Sequence, residues 1–288
     1  MIIVHETGPL ALIEDLGRPG LAHLGVSPSG AADRTACALA NRLVGNPEGA
    51  AVIEITIGGL VIMVDRLAWI AVTGAPTQLD VGGRPTASHA PIALQPGIKL
   101  RVDPPPYGVR NYLAVRGGLL VPKTLGSRST DVLSGLGPAP LRPGTRLEVG
   151  RPRSRMPGVE LAPPHQPAKR LELQPGPRRD WFTDQAWTTL IGQRWTVSVD
   201  ANRVAVRLDG PVLARRIDDE LPSEGLLRGA VQVPRSGRPL IFLADHPVTG
   251  GYPVIAVLTE RAADHAAQLR PGETVRFDPA VDRGFDQQ

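Results

Sequence analysis

Leu94-Gln95-Pro96-Gly97-Ile98-Lys99-Leu100-Arg101-Val102 sets a pattern that returns twice: Leu141-Arg142-Pro143-Gly144 before Leu147-Glu148-Val149, and Leu269-Arg270-Pro271-Gly272 before Val275-Arg276-Phe277. A Pro-Gly pair presets a type II turn, because proline fixes the first central φ and glycine accepts the left-handed second position. Each turn is followed by alternating apolar and polar residues, the period of a strand with one buried face. The pattern predicts turns that feed barrel strands. It recurs too unevenly for a solenoid.

Working outward, residues 52–57, 61–64, 69–72 and 112–115 are short, β-rich and bounded by Gly, Pro or Asp. Glycine and proline number 32 and 30 among 288 residues and are spread along the chain, which fits many short strands joined by tight turns rather than disorder. One helix stands out. Ser29-Gly30-Ala31-Ala32-Asp33 opens it with Ser29 as N-cap, Ala36, Leu39, Ala40 and Leu43 recur at helical spacing, and Gly45 stops it. Asp33 and Asn41 would face a site while the alanines pack. Shorter helices are predicted near 184–191 and 260–269. Between Gly150 and Arg170 the apolar period vanishes, as in a linker or an extended crossover. The expectation is a mainly β protein with a few short helices, in two β-barrel-like lobes at 1–150 and 171–288 joined by a linker at 151–170.

The net charge of +4 does not imply nucleic acid. Lysine occurs only at Lys99, Lys123 and Lys169, the arginines are scattered among acids, and aromatics make up 4% of the chain. A nucleic-acid binder needs a basic face with interleaved aromatics. The one cysteine, Cys37, excludes an intramolecular disulfide and reads as a small buried residue. The start of the chain lacks a basic region followed by a long apolar run, and no window reaches the apolar length of a membrane span. A cytoplasmic protein without a membrane partner is expected.

For chemistry, several signatures are missing: the Gly-x-x-x-x-Gly-Lys-Ser/Thr loop, the Gly-x-Ser-x-Gly elbow, histidines at metal-ligand spacing, and a Met-Lys biotin-attachment dipeptide. No metal site is expected, and ATP or biotin would have to come on another chain. What remains is a set of polar, glycine-rich phrases. Glu14-Asp15-Leu16-Gly17-Arg18 places an acid and an arginine in one turn, which can bind a carboxylate or merely pin a loop. Gly25 to Asp33 sets backbone N–H groups at a helix start, suited to an anion or to simple capping. Gly126-Ser127-Arg128-Ser129-Thr130 resembles an oxyanion or carboxylate cradle. In the second half stand Arg203, Ser223-Glu224-Gly225, Gln232, and Asp245-His246-Pro247-Val248-Thr249-Gly250-Gly251-Tyr252. Adjacent Asp245 and His246 point to opposite faces if the segment is extended, so they do not form a dyad by proximity alone.

These phrases occur in one order, with Asn41-Arg42-Leu43-Val44-Gly45-Asn46, Thr73-Gly74-Ala75, Tyr112 to Gly118 and Gly229 to Pro234 between them. In that order the chain resembles the allophanate hydrolase subunit 2 family, also described as biotin-dependent carboxyltransferase-like or as the C subunit of 5-oxoprolinase, from about residue 7 to 277. It departs from the family at Glu14, where Gln is common, at Asn202-Arg203-Val204-Ala205, where a glycine is lost, and at Ser236-Gly237-Arg238-Pro239. These departures bear on substrate more than on fold. The resemblance implies two cyclophilin-like β-barrel lobes and a heteromer with a subunit 1-type chain. It implies a small amide substrate, with ATP-dependent opening of 5-oxoproline to glutamate favoured. Phosphorylation of the amide oxygen would make the carbonyl attackable by water. On that reading Asp15, Glu224 or His246 manages the proton and Arg18 or Arg128 holds the carboxylate. Ser29, Asp33, Asn41, Ser129, Arg203, Gln232, Asp245, Thr249 and Tyr252 line the substrate. Two alternatives stand: carboxyl transfer from carboxybiotin to a urea-like amide, and a non-enzymatic regulator antagonising a histidine-kinase inhibitor.

Overall fold

The computed structural model describes residues 1–159, 161–163 and 168–280. The chain divides into two compact units, Met1–Pro167 with Ala267–Arg270, and Ala168–Ala266 with Pro271–Gln288. A short piece from late in the sequence therefore belongs to the first unit.

The first unit is built from two antiparallel sheets. A seven-stranded sheet runs in the order Leu119–Leu120, Arg146–Val149, Ile2–Thr7, Leu60–Val64, Leu100–Val102, Gln78–Val81, Arg84–Ala87. A five-stranded sheet runs Leu10–Glu14, Val52–Thr56, Arg110–Val115, Ala68–Gly74, Ile92–Leu94. Ile2, Val4, Ile62 and Leu100 from the first sheet meet Ile13, Ile53, Ile55, Val72 and Leu113 from the second in one core. The opposite face of the five-stranded sheet carries Val52, Ala71, Tyr112 and Ala114, which pack against Ala36, Cys37, Ala40 and Leu43 of helix α1 (Arg34–Leu43). Both faces of the inner strands are covered, so Val52–Thr56 and Arg110–Val115 are buried almost throughout, whereas the edge strand Ile92–Leu94 alternates.

All three Pro-Gly turns form as expected. Gly97, Gly144 and Gly272 sit at φ 76°, 88° and 82°, and strands beginning at Leu100, Arg146 and Thr274 follow. Ile98 N–H reaches the Gln95 carbonyl at 3.2 Å and Thr145 N–H the Arg142 carbonyl at 3.0 Å, closing the first two.

The start of α1 corrects the expectation. Its N-cap is Asp33, whose carboxylate accepts from Ala36 N–H at 2.9 Å, and the helix begins at Arg34. Ser29 lies outside the helix at φ 51°, with its hydroxyl donating to the Thr130 carbonyl at 3.3 Å. Both residues suit an N-cap by type. The choice is tertiary, because Arg18 N–H bonds the Pro28 carbonyl (2.8 Å) and Ala31 N–H the Asp15 carbonyl (2.9 Å), which holds residues 28–31 against a neighbouring turn. The C-terminal stop is as expected, with Gly45 at φ 69° donating to the Arg42 carbonyl at 3.0 Å.

The described part of the predicted linker is tethered to the first unit. Arg116 donates to the Ser154 carbonyl at 2.5 Å, and Ala162 N–H donates to the His89 carbonyl at 2.9 Å. Positions 160 and 164–167 of the linker, and 281–288 of the second lobe, lie outside the described residues.

The second unit closes as a seven-stranded barrel in the order Arg170–Pro175, Val254–Leu258, Ala230–Gln232, Leu240–Phe242, Ala205–Asp209, Trp195–Val197, Thr274–Pro279. Closure comes from a parallel pairing of the last strand with the first, Leu171 opposite Phe277, and it leaves no free edge. Leu171, Leu173, Trp195, Val275 and Phe277 are buried, and the Trp195 indole N–H donates to the Leu190 carbonyl at 3.0 Å. Helices α2 (Asp184–Gly192) and α3 (Glu260–Ala266) fall where predicted. Asn202 closes the turn before strand Ala205–Asp209. Its side-chain oxygen accepts from Val204 and Ala205 N–H at 2.8 and 3.1 Å. Among the described residues no helix is long and apolar enough to cross a membrane.

Arg203 and Asp245 form a buried, two-bonded ion pair, Nε to Oδ2 at 2.8 Å and Nη2 to Oδ1 at 3.1 Å, with side chains 2% and 0% exposed. Removing one partner strands the other charge out of water. Arg203→Ala should cost about 3–5 kcal/mol in urea unfolding, and the double change Arg203→Met with Asp245→Leu should cost clearly less. Equal losses in both proteins would show that the pair is not the origin of the effect.

Candidate functional site

In the first unit three irregular segments meet: the turn after strand Leu10–Glu14, residues 27–33 leading into α1, and the loop at 127–137. Asp15 joins them. Its Oδ1 accepts from Gly17 N–H (2.8 Å), Ser127 Oγ (2.5 Å) and Ser129 Oγ (2.6 Å), and its Oδ2 accepts from Arg128 N–H (2.7 Å). The Asp15 N–H in turn donates to Ser129 Oγ at 2.9 Å. A carboxylate with its lone pairs so committed organises a loop. Gly17 allows the close approach this needs, since a Cβ there would lie 2.4 Å from the Pro28 carbonyl oxygen, at φ 86°.

The turn buries Arg18, which is 2% exposed. Its Nη2 donates to the Ser129 carbonyl, while Nε and Nη1 have no partner among the described residues; nor does the buried Ser27 hydroxyl. Each unpaired donor costs about 1–3 kcal/mol, and a buried cation costs more unless an anion meets it. A carboxylate is the group whose geometry matches a guanidinium with two free donors.

A second cluster lies beside it, on the α1 face of the five-stranded sheet. Register places Glu54 opposite Tyr112 and Leu12, and Tyr112 opposite Thr73, so these side chains share one face. Glu54 accepts from Ala32 N–H at 3.0 Å and lies 3.4 Å from Arg110 Nε. Tyr112 Oη accepts from Asp33 N–H at 2.7 Å. Gln268, from the late insert, accepts from Val109 and Arg110 N–H at 2.9 and 2.8 Å and donates to Asp33 Oδ2 at 2.8 Å. Burial pushes the Cys37 thiol well up, and Glu54, Glu14, Asp33 and Asp15 push it further, so it stays an inert thiol. Burial, then Glu54 and Asp33, raises Tyr112 in the same way and keeps it a phenol.

Of the residues predicted from sequence, Asp15, Arg18, Ser29, Arg128 and Ser129 thus gather at one locus, with Asp33 at the adjoining cluster. Arg128 Nε donates to the Val121 carbonyl at 2.7 Å. Asn41 is separate: its amide donates to the Glu48 and Ala50 carbonyls (3.0 and 2.8 Å) and accepts from Asn46 (3.0 Å), pinning the loop after α1.

In the second unit Glu224 is gripped by Arg178, whose Nε lies 2.9 and 3.0 Å from the two carboxylate oxygens, and that hydrogen bonding lowers its pKa. Glu224 and Thr249 sit on paired short strands, Glu224 opposite Gly250 and Gly225 opposite Thr249. Gln232 donates to the Tyr252 carbonyl at 2.8 Å, and Tyr252 itself is exposed. Asp245 turns to Arg203. His246 Nδ1 lies 2.8 Å from the Pro247 carbonyl, which can only accept, so Nδ1 carries a proton. Among the described residues no group of three or more His, Cys, Asp or Glu is arranged to hold a metal ion.

The roles of Glu54, Arg110, Tyr112 and Gln268 escaped the sequence reading. Glu54 left a signal, a charge between Ile53 and Ile55 in a strand whose other buried residues are apolar. Gln268 left none, since its partners lie 158 and 235 residues away.

Residues 24–279 match the family described as carboxyltransferase domain, subdomain A and B, and the chain belongs to it. It is 35% identical over 282 residues to the C subunit of 5-oxoprolinase from Escherichia coli K12, covering 96% of this chain and 90% of that protein. It is 32% identical to urea amidolyase of Lachancea kluyveri, covering 96% of this chain but 17% of that protein. Among solved structures, TTHA0988 superimposes with a TM-score of 0.88 at 37% identity, and the Kluyveromyces lactis urea amidolyase with 0.89 at 28%. The chain spans 55% and 19% of those two, respectively.

Asp15→Ala removes the acceptor for four donors and should destabilise the protein by at least about 3 kcal/mol in urea unfolding, with proteolysis first at the 127–137 loop. Asp15→Asn, which keeps the shape, should fall between. A loss under about 1 kcal/mol for the alanine variant would mean that the turn holds without its carboxylate.

Proposed function

We propose that this chain is a subunit of an ATP-dependent 5-oxoprolinase, opening 5-oxoproline to glutamate together with a subunit 1-type partner. One observation carries the reading. The match to the C subunit of 5-oxoprolinase runs nearly end to end in both chains, in Escherichia coli and, at 30% identity, in Haemophilus influenzae, whereas the urea amidolyases contain the same region as a small part of a much longer protein.

The first unit supports it. 5-Oxoproline is a lactam with a carboxylate, and Arg18 offers two buried, unpartnered donors to such a group. In this reading Arg18 holds the carboxylate, and Asp15 holds the Ser127–Ser129 loop in place around it. Ser29 and Asp33 shape the adjoining backbone, and Arg128 is the second cation available. Nucleotide chemistry is assigned to the partner, because the chain has no phosphate-cradling Gly-x-x-x-x-Gly-Lys-Ser/Thr loop. ATP bound there would phosphorylate the amide oxygen and so open the carbonyl to water. In the second unit His246 is assigned proton transfer. Glu224, held ionised by Arg178, is assigned a positioning role.

A second reading, carboxyl transfer to a urea-like amide, is favoured by the family's own description and by the urea amidolyase superposition. Biotin-dependent carboxylation of urea by the reconstituted complex would select it.

The test is reconstitution with the chains encoded beside it. ATP-dependent glutamate release should require both subunits, and the single chain should show none. In the active complex Arg18→Gln should raise KM for 5-oxoproline about 10- to 100-fold, the worth of one charge-assisted pair, with the melting temperature recorded alongside. Turnover by the single chain would remove the partner from the proposal. An unchanged KM would remove Arg18.

A further inference from the structure

Away from the Arg18 locus, the first unit has a hollow of about 890 Å³ walled by Pro76, Pro85, Pro104 and Leu161, with Ser88 and His89 in its lining. Both side chains are buried, and Ser88 Oγ lies 2.9 Å from His89 Nδ1. Burial, the larger effect, lowers the pKa of the ring, against a smaller opposing contribution from the Gly74 backbone. A neutral imidazole has one N–H. With that proton on Nε2, Nδ1 is the acceptor facing the Ser88 hydroxyl. A serine hydroxyl donating to a neutral imidazole is the core of an activated nucleophile.

The backbone is specialised at the same point. His89 is held at φ 65°, a region costly for a residue with a Cβ. Two tethers hold it there: His89 N–H donates to the Val72 carbonyl at 2.7 Å, and its own carbonyl accepts from Ala162 N–H at 2.9 Å. The second tether brings the chain carrying Leu161 to the hollow.

We infer that Ser88 is an acylatable nucleophile, with His89 as its base, acting on neutral esters with an apolar acyl group. The walls set the substrate class. They are mostly proline and aliphatic surface, no lining residue is cationic, and the one lining carboxylate, Asp103, is paired with Arg101 at 2.8 Å. In the first step Ser88 Oγ attacks the acyl carbon as Nδ1 takes its proton; the ester C–O bond breaks and the alcohol leaves with that proton. In the second, water attacks the acyl-serine, Nδ1 takes the water's proton, and the proton returns to Oγ as the acid departs. Ester and water become acid and alcohol. This chemistry does not depend on the amide reading, and it uses none of that site's residues.

The test treats the full-length chain with a fluorophosphonate probe, maps the adduct by mass spectrometry, and follows p-nitrophenyl butyrate hydrolysis. A single adduct on Ser88 is expected, with Ser88→Ala abolishing both signals and His89→Gln slowing labelling about 100-fold, the usual contribution of a general base. No adduct, or one on another residue, would overturn the inference. So would labelling of Ser88 at an unchanged rate in folded His89→Gln, which would leave the hydroxyl as a partner that merely holds the ring. The wild-type adduct map decides the first two points even where a variant fails to fold.

Discussion

One buried carboxylate fixes the geometry of the first unit's polar locus. Asp15 meets three N–H or O–H donors on one oxygen and a fourth on the other, drawn from its own turn and from a loop more than a hundred residues later. An ionised group out of water is stable only with such company. Because the loop is pulled onto Asp15, the Ser129 carbonyl arrives where the Arg18 guanidinium can reach it. The same turn holds residues 28–31 by backbone bonds and so decides where α1 may start. Cap, loop and arginine are three consequences of one anchoring.

The five-stranded sheet is the second constraint. Its inner strands, Val52–Thr56 and Arg110–Val115, are covered on both faces, so polar residues such as Glu54 and Tyr112 cannot turn to solvent. Period 2 sorts them instead. Ile53, Ile55 and Leu113 enter the core between the sheets, while Glu54 and Tyr112 turn to the helix side, where donors and acceptors are available. Gln268 completes that side by serving two backbone N–H groups with one oxygen and Asp33 with its nitrogen. A glutamine suits this position because one amide supplies both an acceptor and donors. The barrel of the second unit solves a different problem, the free edge, by pairing its last strand with its first.

The family's relatives act on amides of different kinds, in chains of very different length. A common fold with differing chemistry places substrate choice in a few side chains rather than in the scaffold. Arg18 is the clearest case in the first unit of a side chain buried against its electrostatic preference, with two donors that no described residue meets.

The sequence by itself determined what is local. Each Pro-Gly pair needs only its own backbone, so all three turns formed and the strands after them were legible, as were the three helices to within a few residues. The gathering of Asp15, Arg18 and the Ser127–Ser129 loop could be guessed from residue types but not located. The sequence pointed to Ser29 as the cap of α1, whereas the folded chain uses Asp33, because the Asp15 turn holds residues 28–31 away from the helix. The Ser88–His89 pair carried no motif, since its meaning depends on the ring's burial and a surrounding hollow. Gln268 had no signal at all. Hydrogen bonds between residues 158 or 235 positions apart leave no period in a sequence, because their energy comes from burial that exists only once the chain has folded.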